Sequence, residues 1–213
     1  MKKGKVITIV LSGLLVSPST FAKEGLSFSF GLGGALNYQE DVKLKLDGQD
    51  DIDLGTLSFD TKPFQMPFYW DLKLGYWQEN KGWELELLHH KLYASGLNNS
   101  RVSSLEVTHG YNLVYLNRAI EFRPSWLGRI GLGAVVPHPD MTIDGNKVSG
   151  GYHLAGPSAQ LSLEKTYRFR EDFLVGLEGK MTYSYAEVDF DGGSFELPNT
   201  AVHFLVSLQY DPE

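Results

Sequence analysis

The chain has 213 residues, no cysteine and a formal net charge of −7 at pH 7. That length fits one domain behind a short leader. The lack of thiols leaves no disulfide framework, and an acidic balance without a basic stripe excludes a nucleic-acid binder.

The first 22 residues open with Lys2, Lys3 and Lys5, run through an apolar segment at 6–16, and end in Ser19-Thr20-Phe21-Ala22. A basic start, about 11 apolar residues and small residues before a cut after Ala22 make a secretory signal peptide. Such a segment is too short to cross a bilayer as a helix. Its removal takes three lysines, so the net charge of residues 23–213 becomes −10. No later apolar stretch approaches the roughly 18 residues of a membrane helix. No helical periodicity is sustained either, so the expectation is an exported all-β domain over 23–213.

Eight stretches alternate apolar and polar residues with period two, which sends successive side chains to opposite faces of a strand. They cover 26–38, 66–77, 83–93, 105–117, 126–137, 155–167, 173–189 and 200–210. The links between them run 39–65, 78–82, 94–104, 118–125, 138–154, 168–172 and 190–199, alternating longer and shorter without exception. A hairpin barrel with brief turns at one end and larger loops at the other has this signature. A soluble sandwich has no reason to sort its loops by end. The expected fold is all-β: an eight-stranded antiparallel transmembrane up-and-down β-barrel.

The faces agree. Leu72, Leu74 and Tyr76, then Ile130, Leu132 and Val136, then Phe204, Val206 and Leu208 form uncharged outward rows. Lipid-facing positions do not tolerate charge. For the hairpin at 83–116 the expectation sends Trp83, Leu85, Leu87, Leu113 and Tyr115 to lipid. Glu84, Glu86 and Asn112 go to the lumen. Trp77, Trp83, Trp126, Tyr167 and Tyr210 fall near the short-turn end, where amphipathic rings suit the headgroup level.

The last strand closes Phe204-Leu205-Val206-Ser207-Leu208-Gln209-Tyr210, followed by Asp211-Pro212-Glu213. Its alternation ending on an aromatic resembles the terminal-strand signal of bacterial outer-membrane barrels, apart from the three-residue tail. Together with the eight strands and sorted links, residues 23–213 resemble the small eight-stranded outer-membrane barrels. That group includes the OmpA membrane domain, the OmpX-type adhesins and the lipid A palmitoyltransferase and deacylase. The resemblance implies a Gram-negative outer-membrane location, contact with lipids and lipopolysaccharide, and insertion by the barrel-assembly machinery. It also implies a structural or surface-interaction role without a cofactor.

A register that keeps every charge inside sets Lys73 opposite Glu86 and Gly75 opposite Glu84. The expected lumen network is then Asp71, Lys73, Glu84, Glu86, His90, Arg129, Glu164, Glu178 and Lys180. Eight strands leave room only for side chains, and lone buried charges are costly, so these groups must pair. Such a lumen does not suit an acyl chain.

The alternative function is a lipid A or phospholipid acyl hydrolase. His89 and His109 meet near the loop rim if Tyr93 stands opposite Leu105. Ser104 and Glu106 would complete a Ser-His-acid set. None of the six histidines has Ser two residues later, although the deacylase resemblance calls for that element. Metal binding by His89, His90 and His109 has no strong spacing signal, so no metal site is expected. The acidic loop 39–65 lacks the Asp-x-Asp-x-Asp-Gly order of a calcium loop. Its expected form is a hairpin turning at Asp47-Gly48.

Overall fold

The computed structural model describes residues 23–212; the expected leader at 1–22 lies outside them. The strands are β1 (Gly25–Asn37), β2 (Glu40–Leu46), β3 (Ile52–Asp60), β4 (Trp70–Gln78), β5 (Lys81–Ser95) and β6 (Val102–Arg123). They continue with β7 (Trp126–Pro137), β8 (Asp140–Ile143), β9 (Asn146–Ser149), β10 (Gly156–Arg170), β11 (Phe173–Phe190) and β12 (Gly193–Tyr210). Eight of them close a ring in the order β1-β4-β5-β6-β7-β10-β11-β12, antiparallel throughout. The fold is an eight-stranded antiparallel β-barrel. Two-residue links at 79–80, 124–125 and 171–172 join neighbouring strands at one end. Glu79 and Asn80 both take positive φ, 47° and 67°, the conformation of the turn whose twist matches that of paired strands.

At the other end the barrel grows taller. The link at 39–65 folds as the expected hairpin turning from Asp47-Gly48, the link at 138–154 folds as a second one that was not expected, and both continue the wall where shorter strands stop. The β2–β3 hairpin joins β12 through Leu44–Leu46 and β5 through Ser58–Asp60. It fills the place that β1 and β4 occupy below. The β8–β9 hairpin joins β6, and Asp191 N–H donates to Ser149 O at 2.9 Å on the far side. It fills the place of β7 and β10. The expected link at 190–199 is also strand; β11 and β12 turn only at 191–192.

The wall therefore has two levels, a belt and a cap, with opposite polarity. On β11 the inward residues run Glu178, Lys180, Thr182 and Ser184, then Ala186, Val188 and Phe190, all buried. The outward ones run Leu177, Met181 and Tyr183, all exposed, then Glu187 and Asp189. Parity never slips along this strand. What changes is which chemistry faces in. The cap interior holds Val42, Leu44, Leu57, Leu92, Leu105, Val107, Phe195 and Leu197 in one apolar cluster.

This reversal corrects the expected orientation of β6. Leu113 and Tyr115 face inward, both within 1% of full burial, while Leu116 is exposed. Asn112 lies on the outer side and bonds His89. Most apolar residues of β6 belong to the cap or its border, where the apolar face points in. Trp77 is corrected as well: it is fully buried at the short-turn end, not in the girdle. Its indole N–H donates to Ser27 Oγ at 2.9 Å, and Lys23 Nζ sits 4.3 Å above its ring. Gly82 makes the space, because a Cβ there would lie 2.6 Å from the indole.

Candidate functional site

The belt lumen is built by inward residues of β4, β5, β7, β10 and β11. The β4–β5 ladder sets Lys73 opposite Glu86 and Gly75 opposite Glu84. Three cations serve five carboxylates, so each cation bridges more than one. Lys73 donates to Asp71 and, at 2.8 Å, to Glu178. Lys180 contacts Glu86, with Asp71 at 3.4 Å and Glu178 at 3.8 Å. Arg129 reaches Glu84 at 2.5 Å, Glu164 at 2.7 Å and Glu178 at 3.6 Å. Amides complete the shell: Asn117 and Gln160 each donate to Glu86 at 2.6 Å. A Cβ on Gly131 would lie 2.0 Å from Asn117 Oδ1, and one on Gly176 2.0 Å from Glu164 Oε1. These inward glycines give the long polar side chains their room. The result is a filled plug of paired charge.

His90 is buried one layer higher, outside the ion pairs. Its Nε2 lies 3.0 Å from Asn37 Oδ1, and its ring meets His203 edge-on at 5.1 Å. His203 bonds Thr182 at 2.8 Å and also the Tyr69 hydroxyl. Tyr111 donates to Leu197 O at 3.0 Å, and Tyr115 bonds Ser158 at 2.6 Å. This phenol and imidazole layer joins the charged plug to the apolar cap. Tyr115, expected on the lipid side, belongs to this inner layer instead.

At the rim, the expected pairing of His89 with His109 is not formed. The β5–β6 register sets Tyr93 opposite Glu106 and His89 opposite Asn112. Between its paired positions β5 passes one residue, Lys91, while β6 passes Thr108, His109 and Gly110. Gly110 takes φ +118°, and a Cβ there would lie 2.2 Å from Asn112 Oδ1, so the bulge depends on glycine. His89 stacks on Trp70 at 5.4 Å and its Nδ1 is 2.8 Å from Asn112 Oδ1. Ser104 donates to Thr142 Oγ1 at 2.9 Å, and Glu106 stands opposite Asp140 on β8. Neither imidazole has a serine as its hydrogen-bond partner. His109 instead meets two groups that the sequence reading missed. Its Nδ1 lies 3.0 Å from Asp140 Oδ2, and its ring 5.0 Å from that of His138. The available signal was His138-Pro139-Asp140, because residues two apart on an extended chain share a face.

No protein-family model matches the sequence, and neither does any curated protein. Among solved structures the chain is similar to Neisserial surface protein A, at 8% identity and TM-score 0.46 over 90% of this chain and 99% of that one. It is also similar to Ail, the attachment invasion locus protein of Yersinia pestis, at 14% identity and TM-score 0.43 over 88% and 99%. The outer membrane protein OprG from Pseudomonas aeruginosa matches at 13% identity and TM-score 0.49 over 89% and 96%. The chain has the architecture of the small eight-stranded outer-membrane β-barrels. Likenesses this distant carry no argument about activity.

Proposed function

We propose that this chain is an integral outer-membrane protein with a non-enzymatic role. The belt anchors it, and the cap holds up a folded surface for contact with lipopolysaccharide, matrix or host molecules. The observation that carries this reading is the reversal of polarity along unbroken strands. An exposed row such as Leu132, Leu161, Phe204 and Val206 around a charged lumen is unstable in water and stable in lipid. No described helix is long and apolar enough to cross a membrane, so crossing would fall to the strands.

Both edges of the belt support the same placement. At the short-turn end Phe122, Tyr167, Phe169 and Tyr210 are exposed. Arg118 lies 5.2 Å from the Trp83 ring, and Lys165 lies 5.3 Å from the Trp126 ring. Cations on long stems beside aromatics suit a headgroup layer. At the cap end Tyr38, Phe64, Met66 and Phe68 are exposed. Lys91 fixes the segment that carries the last three, donating to Lys62 O at 2.8 Å and Gln65 O at 2.6 Å.

The test is fractionation of cells followed by unheated and heated electrophoresis. The expected outcome is recovery with outer membranes, faster migration before heating, and surface protease cuts at the turns 47–51 and 96–101. Recovery of the folded chain as a soluble periplasmic protein would overturn the reading.

A further inference from the structure

The geometry points to a surface site for a divalent ion of the zinc type, held by His109, His138 and Asp140. One imidazole nitrogen from each histidine and one Asp140 carboxylate oxygen all lie within 4.8 Å of one another. Around an ion with ligands at about 2 Å, tetrahedral donors stand roughly 3.3 Å apart. The His109–Asp140 pair already has that spacing, at 3.0 Å. The third donor, on His138, lies within 4.8 Å of both.

A second observation stands apart from the clustering. His138 Nδ1 is shielded from water and has no hydrogen-bond partner. An orphaned buried nitrogen is costly, and a bound cation is one way to satisfy it.

The frame around the three side chains is fixed by backbone. His138 N–H donates to Gly110 O at 3.0 Å, tying the β7–β8 link to the β6 bulge that carries His109. Tyr152 donates its hydroxyl to His109 O at 2.9 Å while its ring packs 4.7 Å from His138. Asp140 is held in the β6–β8 ladder opposite Glu106. Access is open, since the His109 and Asp140 side chains are 60% and 40% exposed. Two imidazoles and one carboxylate select borderline ions such as Zn²⁺ over Mg²⁺ or Ca²⁺, which prefer all-oxygen shells. Three protein ligands leave a fourth position for water or an external donor.

The test uses the tag-free chain folded in detergent micelles and titrated with Zn²⁺ against a chromophoric chelator. One equivalent is expected to bind. Affinity should fall at least tenfold in His138→Ala and in Asp140→Asn, and stay unchanged in His153→Ala, whose imidazole lies beside Asp189 at 3.7 Å. Co²⁺ should give a d–d absorption band that the His109→Ala, His138→Ala double variant loses. Unheated electrophoretic migration checks that each variant remains folded. Equal Zn²⁺ affinity in the wild type and the folded double variant would overturn the proposal, as would no stoichiometric binding by the wild type.

Discussion

The belt and the cap share strands, register and handedness, yet their interiors are opposites. Belt strands enclose Arg129, Lys180 and their carboxylates; a few residues along, the same inward row encloses Val188, Phe190 and Phe195. The backbone ladder is indifferent to this, since its hydrogen bonds lie in the wall. The medium outside decides. In lipid the outer face must be apolar, so variety is free to move inward, where charge must be paired. In water the usual rule returns, and burial at about 25 cal/mol per Å² holds the cap. A closed wall needs one apolar side, and which side depends on height.

Breaking each interior tests that contrast. The largest effect is expected from Arg129→Met, which leaves Glu84, Glu164 and Glu178 without their shared cation. Removing one partner from a buried ionic set costs about 3–5 kcal/mol. Urea unfolding in bilayers measures it, and a loss below about 1 kcal/mol would show the plug to be dispensable. Phe195→Ala in the cap should cost a similar 3–5 kcal/mol through lost contacts and a cavity. Here the belt should survive: migration before heating is retained, while protease cuts the 47–51 turn faster.

Two substitutions on the outer face of β11 sharpen the boundary. Met181→Arg puts a charge in the apolar belt and should cost about 2–4 kcal/mol. Glu187→Arg, on the same face six residues on, should stay within about 0.5 kcal/mol. Equal costs would erase the distinction between the two levels.

The smallest effect concerns the exposed Arg101–Asp144 pair, 2.7 Å apart at the top of the cap. Hydrogen bonds from Arg101 hold the Asp144 carboxyl below its usual range. A lowered folded-state value gives stability above the unfolded value near 3.9, lost as pH falls through the folded value. Amide protection at 96–101 should therefore drop below about pH 4 in the wild type. Arg101→Ala should flatten that dependence, and salt should weaken it.

Much of the belt was legible in the sequence because its rule is simple. Period two, uncharged rows and sorted links give eight strands, and the need to keep charge together gives the Lys73–Glu86 register. Of the cap, only the hairpin turning from Asp47-Gly48 was legible in the sequence. The cap's rows have the same period with inverted meaning, and nothing local marks the height of the reversal. Leu113 and Tyr115 therefore read as lipid-facing, and 138–154 reads as a plain loop. The rim was hidden for a different reason. The three residues Thr108, His109 and Gly110 lie across from the single Lys91, so counting along a regular ladder brings the wrong histidine into view. Gly110 was the clue, because a glycine inside a strand pattern often marks a bulge.

The β1–β12 seam carries a kinetic meaning. Its pairs run from Phe28↔Tyr210 to Asn37↔Ala201, joining the first strand to the last. Contacts between such distant parts of a chain reward folding only after the whole loop has closed. Until then β1 and β12 both carry bare edges, and in hydrocarbon each unsatisfied group costs several kcal/mol. Partial opening of the circumference is thus as costly as partial closure. Any catalyst of assembly would have a narrow task here: to shelter two edges until they find each other.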